Sequence, residues 1–402
     1  MSWQNVLVGE AFEFVRNGKN VKQTKERDGL PITRIETIAE RHIDPDRVGY
    51  AGLSESGNEQ WLLQSGDILF SHINSVDHIG KCAIYEGVPE KLVHGMNLIA
   101  LRPSKRLFPK FAFYALSHSS FRAKFLPFVN KAVNQASIST TNLKSLQIPL
   151  PSLDEQKRIA AILDKADALR AKRRQAIALL DSLNQSIFLE MFGDPVSNPK
   201  SYPNLSVGQA LADGHILEIQ DGNHGERHPK VADFSDEGIP FVTANCFRKG
   251  TLNLQNAYRL SPVWVSKLRV GFAKSGDVLL THKGTIGEAA VLSKNTPHAI
   301  LSPQVTYYRP GPSLNSKFLK GVFTSPSFQA ILSNASEQST RAYIGITKQL
   351  RLPIIIPDVE GQTKYAERTS SVEALARDLS RIHTQQDALF ASLQHRAFTG
   401  QL

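Results

Sequence analysis

The sequence predicts an α+β fold in which two similar mixed α/β domains are separated by two long antiparallel helices that form a coiled coil. Two observations predict this fold: landmarks of the first half return in the second half, and each half ends in a long segment with helical periodicity. The chain has 402 residues, of which 41% are hydrophobic and 21% are charged. This length suits two or three domains, and the composition is that of an ordinary globular protein.

The internal repeat divides the chain into four segments. Ser65-Gly66-Asp67 returns as Ser275-Gly276-Asp277, and Arg102-Pro103 returns as Arg309-Pro310, a spacing of roughly 210 residues. We therefore expect the following segments: a first domain over 1–151, a central long helix over 152–192, a second domain over 193–357 and a C-terminal long helix over 358–402.

Each domain combines short strands with a helical stretch. Apolar runs bounded by turn-forming residues predict strands at Ile68-Leu69-Phe70 and Val278-Leu279-Leu280. A helical stretch follows in each domain, over 109–125 and 316–332. The order of the strands does not follow from these patterns.

The two long segments are predicted to be helices. Apolar residues recur every three or four positions over 153–191 and 359–398. Pro151 and Pro357 come just before these segments, where proline suits a helix start, and Ser152 has the capping-box spacing to Glu155. A helix of roughly 40 residues would be about 60 Å long. Such helices need a partner, most simply each other in a coiled coil, and the alternative is that each stripe packs on its own domain.

The positive charge lies in the two domains. The net charge is +10, and the domains contribute +4 (18 basic, 14 acidic) over residues 1–151 and +6 (17 basic, 11 acidic) over 193–357. This favours a polyanionic partner such as nucleic acid, although many soluble proteins carry a similar charge. The two cysteines, Cys82 and Cys246, give no disulfide framework, and no secretory signal or membrane span is visible, so a reducing cytoplasm is expected.

The motifs of a nucleic-acid enzyme are missing from the sequence. There is no Gly-rich loop ending in Gly-Lys-Ser/Thr, no amino-methyltransferase signature and no Gly-x-Ser-x-Gly turn. His224 and His228 have the spacing of zinc ligands on a helix, but Gly225 and Pro229 predict a loop there, so no metal site is expected. We interpret the chain as a recognition protein without an active site of its own.

Several segments carry a family resemblance. They are Ile148-Pro149-Leu150-Pro151-Ser152-Leu153-Asp154-Glu155-Gln156, Phe188-Leu189-Glu190-Met191-Phe192-Gly193-Asp194-Pro195, the terminal Arg396-Ala397-Phe398-Thr399-Gly400-Gln401-Leu402, and the two Ser-Gly-Asp segments. With the tandem repeat, these resemble the specificity (S) subunit of type I restriction-modification enzymes. One departure is Gly361, which replaces the glutamate expected at the start of the second long helix.

The resemblance implies a role in a larger assembly. The two domains would be target-recognition domains that read double-stranded DNA. Two modification subunits would use S-adenosylmethionine to methylate adenine N6, and motor-nuclease subunits would use ATP and magnesium. This chain would bind none of these cofactors. Lys172, Arg173, Arg174 and Gln175 on the central helix could contact the modification subunits, although a solvated helix face is the more common explanation for each such side chain.

Polar loops at matching places in the two halves are the candidate DNA contacts. Asn, Gln, Arg and Glu side chains can read base edges, and Lys side chains suit phosphates. In the first domain the candidates are Asn17, Lys19, Lys22, Arg34, Glu36, His72, Asn74, Lys131, Asn134 and Gln135. In the second domain they are Asp221, Asn223, His224, Thr243, Asn245, His282, Lys283, Thr285, Ser339, Thr340, Arg341 and Tyr343. Any one of them could instead be a solvated loop side chain or a turn former.

Two other functions are consistent with the sequence. The chain could be a stand-alone bipartite DNA-binding protein without enzyme partners, and co-purification with a methyltransferase would separate the two cases. It could also be a scaffold that binds proteins, which an absence of duplex binding at low salt would favour.

Overall fold

The chain forms two compact units in the computed structural model, which describes residues 3–132, 135–224, 228–248, 250–255, 257–336 and 343–402. The first unit contains Met1–Arg174 together with Arg381–Leu402, and the second contains Gln175–Ser380. Each long helix therefore contributes residues to both units. This division differs from the four consecutive segments that the repeat suggests. Within the described residues, no helix has a stretch apolar enough to cross a lipid bilayer.

The first unit is built on an antiparallel sheet. Its strands are β1 (Asn5–Leu7), β2 (Phe12–Asn17), β3 (Ile68–Ser71), β4 (Ile73–Asn74), β5 (Cys82–Ile84), β6 (Leu98–Pro103), β7 (Asn130–Ala132), β8 (Gln135–Ser137) and β9 (Gln147–Pro149). Its helices are α1 (Val8–Ala11), α2 (Pro109–Ser117), α3 (Ser119–Phe125), α4 (Thr140–Lys144) and the start of the long α5 (Leu153–Phe192). The central sheet has the order β2-β6-β3-β5, a smaller sheet has the order β4-β8-β7, and β1 pairs with β9.

The second unit repeats this plan. Its strands are β10 (Asn204–Ser206), β11 (Ile216–Asp221), β12 (Ile239–Val242), β13 (Phe247–Arg248), β14 (Thr251–Leu252), β15 (Tyr258–Leu260), β16 (Phe272–Lys274), β17 (Val278–Lys283), β18 (Thr285–Val291), β19 (His298–Leu301), β20 (Val305–Pro310) and β21 (Pro353–Ile355). Its helices are α6 (Val207–Ala212), α7 (Pro262–Val265), α8 (Ser316–Thr324), α9 (Pro326–Ser336), α10 (Ile346–Gln349) and the start of the long α11 (Val359–Phe398). The sheet β11-β20-β17-β18 corresponds to β2-β6-β3-β5, and β10-β21 corresponds to β1-β9.

The strands that the sequence predicts after each Ser-Gly-Asp segment are confirmed as β3 and β17. The two helical stretches are each divided in two, which corrects the expectation of a single stretch. The backbone is extended at His118 between α2 and α3, and at Ser325 between α8 and α9. The His118 ring starts α3 by accepting a hydrogen bond from the Ser120 N–H at 3.4 Å.

The Ser-Gly-Asp segments anchor each central sheet through a buried ion pair. The Asp67 carboxylate accepts two hydrogen bonds from the Arg102 guanidinium, both at 2.7 Å, and Asp277 accepts two from Arg309, both at 2.9 Å. The glycine before each aspartate has a positive φ, 98° in the first unit and 90° in the second, which a side chain would strain. The recurrence of this short segment therefore reflects a structural requirement.

A buried glutamine fixes the start of α5. The Gln156 side chain is fully enclosed, and its Nε2 donates to the carbonyls of Pro151 at 2.9 Å and Arg106 at 3.0 Å. Its Oε1 accepts from the Phe108 N–H at 2.7 Å. One of the two hydrogen bonds of a capping box is present at Ser152, whose Oγ accepts from the Glu155 N–H at 3.4 Å.

The same arrangement fixes the start of α11. The enclosed Gln362 side chain donates to the carbonyls of Pro357 at 2.8 Å and Ser313 at 3.1 Å, and accepts from the Asn315 N–H at 2.8 Å. The N–H of Gly361, the residue that departs from the family pattern, donates to the Asp358 carboxylate at 2.7 Å. The departure therefore leaves this helix start capped.

Part of each helical stripe packs on a globular body. In the first unit, Ile159 and Leu163 of α5 are buried in the same core as Phe390 and Ala397 of α11. The Arg170 side chain in that unit donates to Asp387 at 2.7 Å. The exposed fractions of four stripe leucines are large: 59% for Leu169, 42% for Leu183, 50% for Leu375 and 59% for Leu389. The alternative that each stripe packs on its own domain thus holds for the start of α5 and, through Tyr365 and Val372, for the start of α11. Phe390 and Ala397 near the end of α11 pack instead in the core of the first unit.

Candidate nucleic-acid interface

The structure brings together residues of three polar loops of the second unit: Asp221 and His224 of the first loop, His282, Lys283 and Thr285 of the second, and Tyr343 of the third. Lys283 ends β17 and pairs with Thr285 of β18 and, through a separate antiparallel bridge, with Tyr343. The Lys283 ammonium lies 5.9 Å from the centre of the Tyr343 ring. The backbone carbonyl of His282 accepts a hydrogen bond from the Ile344 N–H at 2.9 Å, which ties the second loop to the third.

The first loop joins this group through a carboxylate. Asp221 ends β11, and its Oδ1 lies 3.7 Å from Nε2 of His282 and accepts from the Thr306 hydroxyl at 2.6 Å. Its Oδ2 lies 3.8 Å from Nε2 of His224, whose side chain is 49% exposed. Burial lowers the pKa of His282, and the Asp221 carboxylate acts in the opposite direction.

In the first unit the second and third loops share the small sheet. Asn74 on β4 is paired with Ala136 on β8, and Lys131 on β7 is opposite the same residue. Gln135 begins β8, and both it and Lys131 are exposed. This exposed, polar edge is suited to contact a polyanion.

The first loop of that unit follows β2. Asn17 ends β2 exposed, Lys19 forms a parallel bridge with Gly95, and Lys22 is exposed. The Lys19 N–H donates to the His94 carbonyl at 2.8 Å. The backbone of this loop is therefore fixed while Asn17 and Lys22 face solvent.

The sequence suggests a strand for Arg34 and Glu36 and for their counterparts Thr243 and Asn245. The structure corrects this, because Glu36 and Asn245 lie on short 3-10 turns and Arg34 and Thr243 come just before these turns. The turns cover Glu36–Ile38 and Ala244–Cys246. Arg34 and Glu36 form an ion pair with each other at 3.3 Å. Burial acts to raise the pKa of Glu36, but its own backbone N–H and the Arg34 guanidinium outweigh that effect and lower it.

Some candidates are buried. His72 is 6% exposed, His282 is 1% exposed and Asn223 is 2% exposed. The Asn223 carboxamide donates to the Val270 carbonyl at 2.5 Å, so this side chain stabilises the loop and does not face solvent. Asn134, Ser339, Thr340 and Arg341 lie outside the described residues. All the candidate DNA contacts remain predictions.

Sequence reasoning missed one polar residue that links these loops. The Gln304 carbonyl accepts from the His282 N–H at 2.9 Å, and its side-chain Oε1 accepts from the Ala244 N–H at 3.2 Å. It connects the second loop to the 3-10 turn after Thr243. Its repeat counterpart is Asn97, and this recurrence of an amide side chain is a signal that could have identified it. No group of three or more metal-ligating side chains occurs in the part of the chain that the structure describes.

Comparison with known proteins gives consistent matches. Residues 1–179 match the family model described as the type I restriction modification DNA specificity domain. The putative type I restriction enzyme MjaX specificity subunit of Methanocaldococcus jannaschii is 35% identical over 297 residues, which cover 72% of this chain and 68% of that protein. The MjaVIII specificity subunit of the same organism is 23% identical over 388 residues, covering 93% and 86%.

A solved structure shares the fold. The S subunit of a type I restriction-modification system from M. genitalium aligns with a TM-score of 0.57 at 14% identity, covering 99% of this chain and 96% of that chain. At this identity the likeness concerns the fold alone.

Proposed function

Because this chain belongs to the specificity subunits of type I restriction enzymes, we propose that it selects a bipartite, asymmetric DNA sequence for such an enzyme, with each unit reading one half-site. The observation that carries this proposal is the repetition of one framework in both units with different side chains at matching loop positions. Asn17 in the first unit corresponds to Asp221 in the second, and Glu36 corresponds to Asn245. Side chains with different hydrogen-bonding groups select different bases.

The long helices fix the separation of the half-sites in this proposal. We infer that α5 and α11 form an antiparallel coiled coil and that the bases between the half-sites are not read, as dimer geometry sets half-site spacing in other DNA-binding proteins. The contact of Arg170 with Asp387 in the first unit is consistent with this pairing.

The catalytic steps belong to partner subunits in this proposal. Two modification subunits bind S-adenosylmethionine and methylate adenine N6, and motor-nuclease subunits use ATP and magnesium. This chain contributes sequence recognition and a scaffold and binds none of these cofactors. We propose a cytoplasmic location, with which the two free, buried cysteines agree.

The proposal is tested by mapping modified bases. The chain is expressed with its neighbouring methyltransferase, and modified adenines are located by sequencing the host DNA. We expect one motif of two short, unlike words with an unread spacer. A variant with four residues inserted after Arg174, about one helical turn, should keep both words and change the spacer. An unchanged spacer would contradict the role of the helices, and a lack of methylation with the intact pair would contradict the function.

A further inference from the structure

A single carboxylate in the second unit lies between two imidazole rings. Asp221 is 3.7 Å from His282 and 3.8 Å from His224, and its side chain is 14% exposed. Neither ring nitrogen of the buried His282 has a hydrogen-bond partner among the described residues. A buried polar ring without a partner is costly, so this arrangement calls for a functional explanation.

The charged groups around this cluster come from several elements. The Asp221 carboxylate on β11 faces His224 in the following loop, and Lys283 on β17 adds a positive charge next to His282. Two tyrosines are also near the cluster. The Tyr308 phenol interacts electrostatically with Asp221, and the Tyr343 ring lies 5.6 Å from the His282 ring. These groups together set the electrostatic environment of the His282 ring.

The first unit provides an internal contrast. Asn17 ends β2 opposite Ile99, as Asp221 ends β11 opposite Thr306, so an uncharged amide occupies the place of the carboxylate. His72 occupies the place of His282, and its backbone carbonyl likewise accepts a hydrogen bond, from the Ile138 N–H at 3.0 Å. The framework is therefore the same, and the second unit has a carboxylate at the position where the first unit has an uncharged amide.

We propose that the cluster of Asp221, His224 and His282 takes up a proton when the second unit binds duplex DNA, so that affinity for its half-site rises as the pH falls. This inference rests on the proposed function, which places these loops against DNA. Phosphates bring negative potential to the cluster and favour its protonated form. By linkage, a ligand that favours protonation binds more tightly when protons are abundant. The added proton also offsets the negative charge of the Asp221 carboxylate, which would otherwise repel the phosphate backbone.

The test measures the pH dependence of DNA affinity. The full chain, purified with its methyltransferase, is titrated with a duplex carrying the mapped target between about pH 6 and about pH 8. One linked proton changes Kd by up to about tenfold per pH unit. We expect Asp221→Asn, which keeps the shape and an acceptor for Thr306, to lose most of this dependence. Calorimetry in two buffers of different ionisation enthalpy should show fewer protons taken up by the variant.

The controls separate this inference from the proposed function. Asp213→Asn removes an exposed carboxylate at the end of α6, in the same unit, and should retain the wild-type pH dependence. If Asp221→Asn does not fold, His224→Gln alters a half-exposed side chain and should reduce the pH dependence in its place. Wild type and variants with equal pH dependence and equal proton uptake would overturn this inference alone. An absence of duplex binding at every pH would overturn the proposed function.

Discussion

The two units differ most in their second layer of strands. In the second unit, β15-β12-β19-β16 form a regular four-stranded sheet, in which Phe241 pairs with Ile300 in parallel. In the first unit the corresponding pairing, Ile32 with Val93, is also parallel but is an isolated bridge. The chain therefore follows the same path through this layer in both units, and in the first unit this parallel pairing is a single bridge.

The comparison shows which contacts the fold requires. The buried Asp–Arg ion pair and the glutamine at the start of each long helix recur at equivalent positions in both units, whereas the polar loops keep their backbone links and change their side chains. Buried polar groups must be satisfied, so they tolerate little change. Exposed loop side chains are free to change, which the proposed reading of two unlike half-sites requires.

The largest expected effect comes from breaking the buried ion pairs. Asp67→Ala leaves the Arg102 guanidinium without its carboxylate, and removing one partner of a buried pair costs about 3 kcal/mol or more in the free energy of unfolding. Asp277→Ala should cost less, because Arg309 keeps a second carboxylate, Glu218. Urea unfolding with hydrogen exchange on each unit measures both values.

The matched control is the exposed pair on α11. Glu360→Ala removes the partner of Lys364, and the free energy of unfolding should not change measurably. Equal losses for Asp67→Ala and Asp277→Ala would show that Glu218 does not compensate.

A smaller effect is expected from acid, and it should appear first in the first unit. Burial lowers the pKa of both His72 and His94 to about 4, so these rings are neutral in the folded state. The unfolded chain, with a histidine pKa of about 6.5, binds more protons between these two values. Stability should therefore fall as the pH decreases from about 6.5 to about 4, by about 2 kcal/mol for one such histidine at about pH 5. Hydrogen exchange at several pH values would measure it, and a first unit with constant protection would contradict the burial of neutral rings.

The last expected effect concerns sequence choice and not stability. Asn245→Ala should relax discrimination at one base of the second half-site by about 1 to 3 kcal/mol and leave the first half-site unchanged. Arg34→Ala should relax the first half-site less, because Arg34 is already paired with Glu36. The motif of methylated adenines in each variant is the measurement. A change in both half-sites from one substitution would contradict independent reading by the two units.

The sequence predicted the repeat, the strands β3 and β17 and the long helices, because these depend on local periodicity and on landmarks within a short segment. It misplaced Arg34 and Asn245 on a strand. It also merged α2 with α3, because an extended residue such as His118 does not change the apolar pattern. It gave no indication that Gln156 and Gln362 fix the starts of the long helices. Their hydrogen bonds reach residues far away along the chain.

The sequence by itself determined that this protein is a duplicated recognition framework with two long helices, because repetition and periodicity are properties of the chain. Only the tertiary structure decided that Arg381–Leu402 completes the first unit and that Asp221 meets His282. The physical reason is that burial and electrostatic coupling arise between residues that are distant in the chain, and their spacing along it does not specify which of them meet.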